Sequence, residues 1–151
     1  MIDDSYLDSE EFEAERFAMW HAWQWVETPG AHVFVPTIDD RVVGFGYVGP
    51  ERGDGAASGT RRGEVYAFYV HPTAWGSGAA AATMARCTEF LRDHGFTEAM
   101  LWVLRDNPRA RRFYEKVGWS TTGEESSFVG PQTAGGLPEP VPEVQYATVL
   151  S

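Results

Sequence analysis

The sequence predicts an α/β fold in which a central mixed, mostly antiparallel sheet is flanked by helices. Three observations carry this. Val65-Tyr66-Ala67-Phe68-Tyr69-Val70 and Ala99-Met100-Leu101-Trp102-Val103-Leu104 are apolar runs rich in β-branched and aromatic residues, short enough to be buried strands. Between them Ala80, Met84, Cys87 and Leu91 recur on one helical face. Strand, helix and strand in that order imply a right-handed crossover and a parallel pair.

In chain order, Ser9 to Val26 reads as a helix, with Ser9 as its cap and Glu10, Glu11 and Glu13 near the positive end of its dipole. Trp20, His21, Trp23 and Trp25 crowd that segment, either as core packing or as the wall of a pocket. Thr28-Pro29-Gly30 ends it. His32 to Pro36 and Arg41 to Val48 then read as two strands of a hairpin turned at Asp39-Asp40. Gly49 to Gly63 is glycine-rich and polar, hence a loop, and it leads into the central strand.

That strand stops at His71-Pro72, because proline offers no N–H to a ladder. Trp75-Gly76-Ser77-Gly78-Ala79-Ala80 then turns the chain into the crossover helix. Its first turn is nearly bare of side chains, so unpaired N–H groups and a positive dipole end face any approaching anion. A pyrophosphate suits such a cradle. Gly95 is the expected cap of this helix, and Asn107-Pro108 starts the next one with a capping side chain and a proline in its first turn. Ala110, Phe113, Tyr114 and Val117 form its inward face, and Gly118 ends it. Ser120 to Gly130 and Glu143 to Leu150 are the last strands, with Pro131 to Pro142 as an irregular loop between them.

Composition narrows the function. A chain of 151 residues that is 43% hydrophobic is expected to form one domain, spanning 1–151, with a real core. No apolar run is long enough for a bilayer, and the acidic N-terminus lacks the parts of a signal peptide, so no membrane partner is expected. The lone cysteine, Cys87, sits on the packed face of the crossover helix and fits a cytoplasmic protein without disulfides. A net charge of −10 argues against nucleic acid; it either aids solubility alone or also draws in a positively charged acceptor. His21 and His32 have no partners at ligand spacing, so no metal is expected.

Two segments together carry a resemblance. Val70-His71-Pro72 followed by the glycine turn, and later Asn107, Ala110, Tyr114, Gly118 and Trp119, resemble the paired motifs of the GCN5-related N-acetyltransferase superfamily. That family reads V-x-P, Q/R-x-x-G-x-G/A and N-x-x-A-x-x-x-Y-x-x-x-G-[FW]. The chain matches at Gly78 and Ala80 but has Trp75 where the family more often has Gln or Arg, and Ser77 where a basic residue is common. The resemblance covers about Arg41 to the C-terminus. It implies a sheet splayed at the parallel pair, acetyl-CoA as co-substrate, and direct transfer of its acetyl group to a primary amine of a small molecule or a peptide. Backbone N–H groups of Trp75, Gly76, Ser77, Gly78, Ala79 and Ala80 would hold the pyrophosphate, and Phe68, Tyr69 and Val70 would pair with the pantetheine arm. Asn107 would contact the cofactor, and Tyr114 would protonate the leaving thiolate. Glu64, at the head of the central strand, is the candidate base, with Tyr66 or a water chain as the alternative. Arg105, Arg109, Arg111, Arg112 and Lys116 form a basic cluster that could meet the adenosine phosphates or simply face solvent.

The family usually begins with a strand, whereas here the chain enters its first helix almost at once. The exposed sheet edge this leaves could be covered by a partner subunit in a homodimer. A second reading is a non-catalytic acyl-CoA-binding or sensing module. A third, a nucleotide-binding α/β domain, lacks the ribose-binding acidic residue expected about twenty positions beyond the turn.

Overall fold

The computed structural model describes residues 29–52, 62–128 and 141–151. The helix expected over Ser9–Val26, and most of the two loops expected after Gly49 and after Gly130, lie outside these residues.

Eight strands and two α-helices are present among the described residues. Six strands form one sheet in the order β1 (His32–Phe34), β4 (Gly44–Pro50), β5 (Gly63–Val70), β6 (Glu98–Leu104), β8 (Val141–Val149) and β7 (Ser120–Phe128). β5 and β6 are parallel and every other neighbouring pair is antiparallel, so the expected mixed sheet is the one observed. The helix α1 (Ala79–Asp93) crosses from β5 to β6, and α2 (Pro108–Lys116) follows β6.

The predicted hairpin breaks into more pieces than periodicity suggests. β2 (Thr37–Ile38) and β3 (Arg41–Val42) pair only with each other, around Asp39 and Asp40, both at positive φ as a tight turn requires. Val43 interrupts the long strand: its N–H bonds Pro36 O, and its carbonyl accepts from His71 N–H. Beyond it β4 runs to Pro50, so Gly49 and Pro50 are strand residues opposite Glu64 and Gly63 rather than the start of a loop. A side chain at position 49 would collide with the Tyr66 hydroxyl and the Ala31 backbone, which explains a glycine inside this strand. Pro142 likewise belongs to β8, opposite Ser127, rather than to the preceding loop.

The core lies where α1 covers the sheet. Met84, Cys87 and Leu91 pack on Val48, Val65 and Leu101, as their spacing predicts, but Thr83 rather than Ala80 completes the buried face. The Thr83 hydroxyl is satisfied by Ala79 O at 2.7 Å. α2 buries Tyr114 fully, with Ala110, Phe113 and Val117 only half-covered. Where α1 ends, Gly95 takes a left-handed φ of 89° and Phe96 N–H returns to Leu91 O.

The sheet is splayed at its parallel pair. β5 and β6 pair only at Gly63↔Ala99, Glu64↔Met100 and Val65↔Leu101. Past Val65, β5 stays on β4 as far as Val70↔Gly44, while β6 stays on β8 as far as Leu104↔Glu143. The divergence coincides with a bulge in β5, where the register with β4 slips between Tyr47 and Val48. An extra residue of that kind sharpens local twist and turns a strand away from its neighbour. The closed end of the wedge is clamped by Arg62, which binds Glu51 after β4 through two nitrogens at 3.0 and 2.6 Å and reaches Glu98 of β6 at 3.5 Å.

Candidate active site

The wedge exposes one edge of β5. His71 N–H points to β4, where it meets Val43 O, so alternation turns the N–H groups of Phe68 and Val70 toward the opening instead. Val70 O is already taken there, by Trp75 Nε1 at 3.0 Å. An extended chain with amides of its own could lie in the wedge and pair with these groups as β6 does nearer the closed end.

The turn from β5 into α1 sits at the mouth. His71 caps a short helical turn, Pro72–Ala74, and Trp75 N–H bonds Pro72 O at 3.1 Å. Ser77 closes the turn: its N–H bonds Ala74 O, and its Oγ both donates to Ala74 O and accepts from Ala79 N–H. The amides of Trp75, Ser77 and Ala79 are therefore occupied within the turn. Those of Gly76, Gly78 and Ala80 have no partner among the described residues. The donor set is thus narrower than the sequence suggests. Gly76 and Gly78 adopt φ of 79° and 87°, and a Cβ on either would meet nothing within 4 Å. Glycine is required there by conformation, while the space beside the amides stays open. Gly78→Ala is accordingly expected to lower stability by only about 1 kcal/mol but to weaken coenzyme A binding at least tenfold. Chemical denaturation and calorimetry separate the two effects.

Tyr114 lies behind the mouth. Its ring contacts those of Phe68, Phe113, Trp119 and Tyr146, with centroids 5.5 to 6.4 Å apart. Only 7% of the residue is exposed, and its hydroxyl has no hydrogen-bond partner among the described residues. Burial, with a smaller contribution from the Cys87 sulfur, pushes the phenol well above its ordinary range, so it keeps its proton. A buried hydroxyl left without any partner would cost about 1–3 kcal/mol. Cys87 itself is fully buried and its thiol is pushed up to about 12, which disfavours it as a nucleophile.

Glu64 occupies the other face of the sheet. A side chain at Gly63 or Gly46 would strike Leu91 or Cys87 of α1, and Val65 also packs there, so Glu64 points away from α1. It stands on the last stretch where β5 and β6 are joined, beside the point of divergence. Its Oε1 accepts from Arg52 N–H at 2.9 Å, with the Arg52 guanidinium 3.9 Å from Oε2. Burial raises the carboxyl above its usual range, opposed by the Arg52 contacts. Tyr66 lies on the same face, donates its hydroxyl proton to Pro50 O, and is pushed well up by burial, so of the two it is the poorer base. Tyr69 packs on Phe45, and Asn107 accepts from Ala110 N–H at 3.2 Å as the cap of α2. The site is therefore two-sided: turn, β5 edge and Tyr114 on the α1 side, Glu64 on the other.

The motifs did not reveal two contacts. Arg52 N–H on Glu64 comes from a segment read as loop, and Arg109 lies over the Trp75 indole at 3.7 Å, a pairing across distant positions. A separate groove of about 390 Å³ lies between α1 and the ends of α2 and β8 and includes none of the candidate residues.

Comparison with known proteins supplies the lineage. The family model for the acetyltransferase (GNAT) family matches residues 1–119. The chain belongs to this family. Among curated GNAT relatives, an uncharacterized N-acetyltransferase of Mycobacterium tuberculosis is 30% identical over 126 residues, covering 83% of this chain and 72% of the relative. A mycothiol acetyltransferase of Kocuria rhizophila is 39% identical over 98 residues, covering 63% of this chain. The match covers 31% of that relative, so the chain spans about a third of its length. The crystal structure of a nourseothricin acetyltransferase shares the GNAT fold, with a TM-score of 0.67 at 23% identity over 84% of this chain and 69% of that one. Solved structures of this fold include complexes with acetyl-CoA and with coenzyme A. Among the described residues no helix is long and apolar enough to cross a membrane.

Proposed function

We propose that the protein is an N-acetyltransferase that moves an acetyl group from acetyl-CoA to a primary amine by direct transfer. The observation that carries this reading is the wedge: among the described residues, its mouth bears amides without partners at Gly76, Gly78 and Ala80, and Tyr114 lies behind it with no partner for its hydroxyl. These residues fit the co-substrate. The three amides and the α1 dipole suit a diphosphate, and the β5 edge at Phe68 and Val70 suits an arm carrying amides.

Acetyl-CoA would supply an acyl group already activated as a thioester. The chain's residues then divide the remaining work. Glu64, ionised, accepts a proton from the incoming ammonium, directly or through water, so that nitrogen can form its bond to the acyl carbon. A β5 N–H turned into the wedge donates to the oxygen on which negative charge grows. Tyr114 Oη donates its proton to the sulfur as the carbon–sulfur bond breaks, and its buried phenol is the reservoir for that proton. A net charge of −10 draws cationic acceptors toward the site, which fits an amine on a small molecule or a peptide.

The same cradle would serve a non-catalytic acyl-CoA sensor. Glu64 separates the two readings, because a carboxylate buried beside the divergence with its affinity for protons raised is the group a base requires. Thiol release from acetyl-CoA, followed across polyamines, aminoglycosides and lysine-bearing peptides, tests this. Turnover on at least one amine is expected; tight coenzyme A binding with no thiol release on any of them would favour the sensor.

A further inference from the structure

We infer that Arg109 is the cation that neutralises the cofactor's diphosphate, delivered to the turn from α2 by its stack on Trp75. The inference rests on the acetyl-CoA reading above and extends it to a specific side chain. The stretch from Trp75 to Ala80 contains no charged residue, yet a diphosphate brings two negative charges toward a chain of net charge −10. Amides and a helix dipole offset part of that repulsion, and a full positive charge nearby offsets far more.

Arg109 is the cation so placed. Its guanidinium lies 3.7 Å from the centroid of the Trp75 ring, and that ring is pinned by Nε1 on Val70 O. Trp75 directly precedes the free amide of Gly76, so the stack holds the charge beside the cradle. A guanidinium laid flat on a ring would keep its in-plane donors available, and those donors grip phosphate oxygens in pairs. The donors of Arg109 have no partner among the described residues. The other arginines near α2 each have at least one nitrogen engaged. Arg105 pairs with Asp106 at 3.8 Å, Arg111 bonds Tyr146 Oη and Arg105 O, and Arg112 bonds Pro108 O. The partly exposed Trp75 thus serves as a platform that aims a distant charge.

Calorimetric titration of coenzyme A and of 3′-dephospho-coenzyme A into the parent, Arg109→Met and Arg109→Lys tests this without turnover. Arg109→Met keeps an unbranched apolar side chain on α2 but removes the guanidinium, and with it the charge, its donors and the contact on Trp75. It is expected to weaken both ligands about tenfold, with the gap narrowing at high ionic strength, while Arg109→Lys recovers part of the loss. Unchanged binding by Arg109→Met, or a loss confined to the ligand bearing the 3′-phosphate, would overturn the assignment and leave the acetyl-CoA reading intact. A parent that binds neither ligand would overturn both.

Discussion

Tyr114→Phe is expected to lower kcat for acetyl transfer about 100-fold while leaving coenzyme A affinity within twofold of the parent and raising stability by up to about 1 kcal/mol. The three readouts follow from one feature. The hydroxyl lies buried with no hydrogen-bond partner among the described residues, so its removal takes away a desolvated polar group and leaves the aromatic packing with Phe68, Trp119 and Tyr146 in place. Few substitutions stabilise a protein and disable it together, and those that do mark a group retained for chemistry. Steady-state kinetics with thiol detection, calorimetry and thermal unfolding on one preparation suffice. A variant with parental kcat would remove Tyr114 from the mechanism, and one that is strongly destabilised would show the hydroxyl to be structural.

Glu64→Gln is expected to have the second large effect, a fall in kcat/KM for the amine of about 100- to 1,000-fold. The sign of the pH dependence follows from the raised carboxyl. The base form exists above the folded-state pKa, so the parent's activity falls as pH drops through that raised value, and the variant loses this acidic limb. Stability runs the other way. A carboxyl whose folded pKa lies above its unfolded one stabilises fully at low pH, and this contribution is lost as pH rises through the folded value. The glutamine stays neutral and its carbonyl still accepts from Arg52 N–H. Relative to the parent, the variant should therefore gain stability between weakly acidic and neutral pH. An unchanged pH–rate profile, or a variant less stable than the parent at neutral pH, would assign Glu64 a purely structural role.

The parts of the fold legible in the sequence are those where one face decides the structure. Met84, Cys87 and Leu91 announce the crossover helix, and the two apolar runs beside it announce the parallel strands, because burial on both sides leaves few other patterns. Asn107 as a cap and Gly95 as a stop are equally local signals, and both are where expected. Gly49, Pro50 and Pro142 read as loop in the sequence because composition says nothing about who lies opposite. Each is accommodated by a neighbour's shape or by the end of a ladder. The site was legible as a segment and illegible as a donor set. Whether a given amide at Trp75 to Ala80 is free depends on where the Ser77 hydroxyl turns, and on the positive φ angles of Gly76 and Gly78. The Arg109–Trp75 stack and the Arg52 contact to Glu64 join residues distant in sequence, so no local pattern reports them.

The central claim is that a small set of unoccupied amides grips the co-substrate at the start of α1. A chain of 16.8 kDa suits amide-resolved NMR titration with coenzyme A. The largest shifts are expected at the N–H groups of Gly76, Gly78 and Ala80, with Phe68 and Val70 following, and smaller ones at Trp75, Ser77 and Ala79, whose amides are already bonded. Shifts centred instead on the groove between α1 and β8, around Thr88, Arg92 and Thr148, with the turn unmoved, would contradict the account.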